Sequence, residues 1–298
     1  MKPAIIILFL LGLSIFPFSQ KTDKKLQRQI NEALKGFNGT IGVYVKDVKT
    51  GKTVSINADT LFPTASIVKV PILIGVMDKI RNGELHYDST LVYKDSLLYE
   101  GEDILGSFKS GEKILLKKVM MLMLTTSDNT ASLWLQSLAG KGTRINELLD
   151  SLGLKYTRVN SRTPGRENNR TQFGWGQTTP REMGTIFEKI YNNEIFSIEA
   201  CDRMMRCLGR NYWDEDEAIS QIPPYIKVFS KNGCVDASRS EILLVNAPHH
   251  PYIFSIFTKN NKDQQWTHEN EAWALARKIS LLLWNYFEPK DKWEPTAK

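Results

Sequence analysis

The sequence predicts an α+β fold: a three-layer α/β/α domain around an antiparallel sheet, with an all-helical lobe attached. Two observations predict it. Strand patterns cluster near both ends of the chain, at 40–56 and again at 227–257, with helical periodicity and loops between them. Amphipathic segments at 22–36 and 269–287 flank the strand clusters and can cover the sheet. This layout is discontinuous. Residues 21–62 and 209–298 would build the sheet domain and residues 63–208 the helical lobe, with a cleft between them. A chain of 298 residues suits one large or two intimate domains.

The elements follow in order. Leu26, Ile30 and Leu34 mark the first helix, which Gly36 and Gly39 end. Thr40 to Val45 and Thr53 to Ile56 are strands joined by a polar turn containing Gly51. An apolar run from Ile67 to Met77 reads as a buried helix. Residues 82–116 are broken by Gly83, Gly101, Gly106 and Gly111, and carry Tyr99. Helices follow at 115–124, 130–138 and 144–152. Residues 157–177, with Pro164, Gly165, Gly174 and Gly176, read as a long ordered loop, a type that is usually functional. Thr179-Pro180-Arg181-Glu182 then gives a helix start, with threonine at the cap, proline at N1 and glutamate at N3. A further helix spans 198–208. Strands at 227–230, 241–245 and 252–257 complete the sheet before the last helix.

Composition narrows the function. The net charge is +6, from 39 Lys and Arg against 33 Asp and Glu. The basic residues are scattered apart from Lys21, Lys24, Lys25 and Arg28. That argues against a nucleic-acid surface and permits an anionic small substrate. Lys2, the apolar run Ala4 to Phe16 and the polar residues after it match a secretory signal peptide over 1–20. The run is short for a bilayer span, so the expected mature protein is exported, periplasmic and without stable membrane insertion. Cys201, Cys207 and Cys234 are odd in number, and no obligatory disulfide is expected. His86, His249, His250 and His268 form no ligand spacing with them, so neither a metal nor a cofactor is expected.

The chemistry centres on Ser66-Ile67-Val68-Lys69. Ser66 opens a helix, and Lys69 lies one turn on, on the same face. A serine placed so becomes a nucleophile if a neutral amine takes its proton. Alone, the pair also describes a capping serine beside a solvated lysine. Two further groups accompany it in order, Ser127-Asp128-Asn129 and Lys231-Asn232-Gly233. The ordered set and its spacing resemble the penicillin-recognising serine hydrolases, above all the class A serine β-lactamases. Thr178-Thr179-Pro180 with Met183 is similar to a class A feature as well.

The resemblance implies a serine β-lactamase that opens the lactam amide through an acyl-enzyme on Ser66, acting as a monomer. Its alternative is a D-alanyl-D-alanine peptidase or related esterase of the same fold. The substrate is then a β-lactam or a cell-wall D-Ala-D-Ala peptide. Ser66 is the nucleophile and Lys69 its base; Ser127 carries a proton to the leaving nitrogen. Asn129 holds the substrate amide side chain, and Lys231 supplies positive charge near the substrate carboxylate. The backbone N–H groups of Ser66 and Cys234 form the oxyanion hole. Asp128 reads as structural. Asn129 as a plain cap, Lys231 as a solvated strand lysine and Cys234 as a small buried hydrophobe remain open on the residues alone.

Three departures stand out. Asn232 replaces the usual Thr or Ser of the third motif, trading a hydroxyl for an amide that still donates. Arg239 sits one residue closer to Lys231 than the arginine that binds the substrate carboxylate in class A enzymes. The Glu-x-x-x-Asn pattern of the deacylating glutamate is missing. Glu167 is the nearest acid, several residues late, and its alternative is an ion pair with Arg162, Arg166 or Arg170.

Overall fold

The structure, a computed structural model, describes residues 21–101 and 103–295. The export-signal pattern at 1–20 lies outside them. Asp23 opens α1 (Lys24–Ala33) by accepting the Leu26 N–H, and Leu26, Ile30 and Ala33 form its buried stripe. Then come β1 (Thr40–Asp47), β2 (Thr53–Ile56) and the short β3 (Phe62–Pro63). A 3-10 turn over Ala65–Val68 runs straight into α2 (Lys69–Arg81). The lobe continues with β4 (Thr90–Val92), β5 (Lys113–Leu115), α3 (Leu116–Thr125), α4 (Asn129–Leu138) and α5 (Lys141–Ser151). Next are β6 (Arg158–Val159), α6 (Glu167–Phe173), β7 (Gly176–Thr178), α7 (Pro180–Tyr191) and α8 (Ile198–Leu208). The chain closes with β8 (Val228–Val235), β9 (Ser238–Val245), β10 (Tyr252–Lys259) and α9 (Glu271–Phe287).

The main sheet has the order β2-β1-β10-β9-β8 and is antiparallel throughout. Side chains alternate across it with period two. Val43, Val45, Leu243, Val245, Phe254 and Ile256 meet Leu26 and Ile30 of α1 and Leu275, Ile279 and Trp284 of α9. Ile242, Leu244, Ile253 and Phe257 join the other core, with α2, α7 and α8. Both faces are therefore covered, which explains why Ile242 to Val245 is an unbroken apolar run. Each Leu, Ile or Phe side chain buried this way contributes about 1.5–3 kcal/mol.

In the lobe, every residue of α2 from Val70 to Met77 is buried. A helix apolar on all sides belongs in an interior, and α3, α4, α5 and α8 pack around it. Its first residue, Lys69, is thereby held out of solvent. Among the described residues, no helix is long and apolar enough to cross a membrane.

The stretch 157–177 is more ordered than its sequence suggests: it contains β6, the two-turn α6 and β7. Its polar residues close on themselves around the buried Gln177, whose Oε1 accepts from Arg166 Nη2 (2.9 Å) and Asn169 Nδ2 (3.0 Å). The start of α7 also differs from a capping box. Thr179 accepts the Glu182 N–H, but the Glu182 carboxylate turns outward to the N–H groups of Lys155, Tyr156 and Thr157.

Candidate active site

Ser66 sits at the second position of the 3-10 turn, where a backbone N–H has no partner within the helix. The residue before it, Ala65, has φ of 43°, left-handed backbone that a non-glycine residue rarely adopts. Ser127, at φ 61°, has the same unusual geometry in the middle of the α3–α4 link. Asp128 and Asp103 hold that link. Asp128 caps α4 through the Ala131 N–H (2.6 Å) and also accepts from Leu105 N (2.9 Å). Asp103 Oδ2 accepts from Asn129 N (2.9 Å) and Thr130 N (2.8 Å). The two aspartates satisfy the free donors of the helix start and leave the Ser127 and Asn129 side chains facing Lys69.

Lys69 is 0% exposed. Its Nζ lies 2.9 Å from Ser66 Oγ, 3.0 Å from Ser127 Oγ, 2.5 Å from Ser127 O and 2.8 Å from Asn129 Oδ1. Among the described residues, no carboxylate touches it. Burial first, and then the Lys231 ammonium, hold Lys69 well below the usual lysine range, while Asp103 and Asp128 pull weakly the other way. A neutral amine has two N–H donors and one lone pair. The Ser127 carbonyl and the Asn129 Oδ1 can only accept, so they take the two donors. The lone pair is then left for a hydroxyl, that of Ser66 or Ser127.

The third motif lies on β8, at the sheet edge nearest the 3-10 turn. Gly233 makes this approach possible. A Cβ there would lie 2.9 Å from Ser66 N and 3.0 Å from Ile67 N, and would collide with the Thr64 carbonyl. The backbone on either side of Gly233 therefore runs beside the Ser66 N–H, and Cys234 lines the cleft. Lys231 is also 0% exposed. Its Nζ is held by Asn232 O (2.8 Å) and Asn232 Oδ1 (3.0 Å). Burial lowers it to about 8, against the pull of Glu217 and Glu241. The Asn232 Nδ2, the donor that replaces the usual hydroxyl, goes to Glu217 Oε1 at 2.5 Å.

Arg239 pairs with Cys234 in register, but its guanidinium turns away from the cleft. It donates to the carbonyls of Val235, Asp236, Ser238 and Gln265 and stacks on Trp266 (4.1 Å) and Trp273 (4.9 Å). The turn between β8 and β9 leaves its carbonyls open there, and the long side chain closes them. It is not among the residues lining the cleft.

The cleft has a volume of about 540 Å3. Ser66, Asn129, Tyr99, Phe173, Trp175, Cys234, Ser238 and Lys259 are among its lining residues, and among the described residues no Asp or Glu is. Tyr99 and Trp175 pack edge to face at 5.2 Å and wall one side. Glu167 is exposed at the start of α6, where its Oε1 accepts the Gly165 N–H at 3.1 Å. It does not line the cleft, and none of Arg162, Arg166 and Arg170 pairs with it. Arg166 is spent on Asn160 and Gln177. Among the described residues, no group of three or more His, Cys, Asp or Glu side chains is arranged to hold a metal ion.

Sequence reasoning did not find Asp103, Glu217 or Glu241. All three lie beside the motifs only after folding. Glu241 stands opposite Asn232 in the β8–β9 register, a signal that requires the strand pairing to be known. Trp175 gave no signal within an aperiodic stretch.

The comparisons with known proteins agree with this fold. A sequence model described as the beta-lactamase enzyme family matches residues 25–287. The β-lactamase VEB-1 of Pseudomonas aeruginosa is 23% identical over 96% of this chain and 98% of its own. Among solved structures, PBP-A superposes with a TM-score of 0.80 at 23% identity, covering 91% of this chain and 98% of that one. A class A β-lactamase from Bacteroides cellulosilyticus superposes with a TM-score of 0.78 at 22% identity, covering 89% and 98%.

Proposed function

Because the chain belongs to the β-lactamase enzyme family, we propose that it opens β-lactam rings through an ester on Ser66. The observation that carries this reading is the position of Lys69 Nζ, buried and within 3.0 Å of both the Ser66 and the Ser127 hydroxyl oxygens. Ser66 Oγ attacks the lactam carbonyl and its proton moves to the neutral Lys69 amine. The developing oxyanion is met by the N–H groups of Ser66 and Cys234. As the carbon–nitrogen bond breaks, the proton passes from Lys69 through the Ser127 hydroxyl to the ring nitrogen. Lys69 is then neutral again. It takes a proton from the attacking water and returns one to Ser66 Oγ as the ester is hydrolysed. Asn129 holds the substrate's amide side chain. Glu167, on the surface and bonded to Gly165, takes no part in these steps.

One observation favours a second reading, a D-alanyl-D-alanine peptidase or related esterase: among the described residues, no carboxylate lines the cleft to activate the hydrolytic water. The two readings are separated by turnover. Release of colour from a chromogenic cephalosporin over many cycles supports the lactamase. A single stoichiometric burst, with D-alanine released from a D-Ala-D-Ala peptide, supports the peptidase. Export to the periplasm is part of the proposal, on the strength of the charged start and apolar run in residues 1–20. N-terminal sequencing of the periplasmic form tests it: a start near Gln20 agrees, and an intact Met1 in the cytoplasm does not. A role in antibiotic resistance is likewise proposed, tested by whether the gene raises the ampicillin tolerance of a sensitive host.

A further inference from the structure

Behind the third motif lies a buried acidic pair that none of the steps above uses. Glu217 is 6% exposed and Glu241 2% exposed. Glu241 accepts from Ala218 N (2.6 Å) and Ile219 N (3.3 Å), so it clamps the backbone that carries Glu217. Glu217, aimed in this way, takes the Asn232 Nδ2 at 2.5 Å and lies 3.8 Å from Cys234 Sγ. The other face of the Asn232 amide, its Oδ1, holds the Lys231 ammonium. One side chain thus joins a buried acid to the cation that the active site presents. The remaining charged neighbours are accounted for. Arg239 on β9 is turned onto the β8–β9 turn, and Asp216 is paired with His268 at 2.6 Å, while its carbonyl takes Arg277 of α9.

Two ionised carboxylates beside one ammonium, all out of water, are unfavourable, and such a pair retains a proton more readily than either acid alone. Of the donors expected to meet a substrate carboxylate, Arg239 is committed elsewhere and Asn232 Nδ2 gives one of its two hydrogens to Glu217. Recognition of an anionic substrate then falls largely on the Lys231 charge, and that charge is offset whenever Glu217 is ionised.

We propose that Glu217 is the positioning residue of the third motif: it fixes the Asn232 amide against Lys231, and its proton decides how much of the Lys231 charge an anionic acyl donor meets. The inference rests on the acyl-transfer reading for its consequence but not for its geometry. Burial raises Glu217 to about 7, which places the change in the neutral range.

The test has one arm that needs no substrate. In the full-length folded protein, the Asn232 side-chain amide is followed by 15N–1H NMR across the neutral range, its signal identified by its loss in Asn232→Ser. The signal moves as pH rises through about 7 in wild type and moves less in Glu217→Gln, where only Lys231 titrates beside it. A second arm measures KM for benzylpenicillin and for its methyl ester, which lacks the carboxylate. KM for the acid rises several-fold with pH in wild type, rises less in Glu217→Gln, where only Lys231 titrates, and is flat for the ester in both proteins. A wild-type amide signal that does not move overturns the proposal, even if the variant does not fold. A signal that moves equally in Glu217→Gln overturns it too. A protein with the expected NMR response but no reaction with either penicillin keeps the positioning role and refutes the acyl-transfer reading instead.

Discussion

Gly233 lies against the backbone of Ser66 so closely that no side chain fits between them. A Cβ at Gly233 would stand 2.9 Å from Ser66 N. In Gly233→Ala, the β8 edge must move away from the nucleophile. Losing one oxyanion donor typically costs about 10²–10³ in rate. The acylation rate of Gly233→Ala with benzylpenicillin is expected to fall by that order, and because every close neighbour is backbone the melting temperature falls as well. Stopped-flow acylation and a thermal melt measure the two.

Lys69→Arg keeps a cation and loses the lone pair, since a guanidinium does not deprotonate in proteins. General-base catalysis contributes about 10²–10⁴-fold, and acylation is expected to drop by at least the lower figure. In wild type the sign follows from the depressed Lys69. The amine is neutral above its lowered value, so acylation is lost as pH falls through it. A pH series of acylation rates checks both statements.

Glu217 makes a separate prediction for stability. Its folded-state value, about 7, lies above the ordinary glutamate value of 4.5. The folded protein therefore binds the proton more tightly than the unfolded chain does. The associated stability is fully present below about 4.5 and is lost as pH rises through about 7. Glu217→Gln cannot titrate, so its melting temperature should decline less than that of wild type between those limits. Calorimetric melts of both proteins across the range are the measurement.

Glu167→Gln should leave the lifetime of the acyl-enzyme within about twofold of wild type, because exposed side chains away from a site change little and this one is bonded to Gly165 N. Mass spectrometry of the adduct over time gives the lifetime. A large extension would return Glu167 to the chemistry.

The sheet and the lobe were legible because their periodicities are strong. The Leu26–Ile30 stripe, the apolar run of α2 and the Thr179-Pro180 helix start are each local signals with one physical meaning, and α8 falls at 198–208 as its pattern indicates. The motif order also marked Ser66, Ser127 and Asn129, whose side chains meet at Lys69 Nζ, and Lys231, whose charge acts on Lys69. What stayed hidden depends on pairing distant strands and loops. The direction of Arg239 is set by Trp266 and Trp273, residues far along the chain. The placement of Glu167 follows from a two-turn helix too short to show a period. Glu217 sits in an irregular segment, and only the partners brought to it by β8 and β9 give it a role.

The most direct measurement is intact-protein mass spectrometry after brief mixing with benzylpenicillin at neutral pH, followed by peptide mapping. The account predicts one adduct with the mass of the whole penicillin, on the peptide carrying Ser66, strongly reduced in Lys69→Arg. An adduct on another residue, or equal labelling of Lys69→Arg, would contradict it.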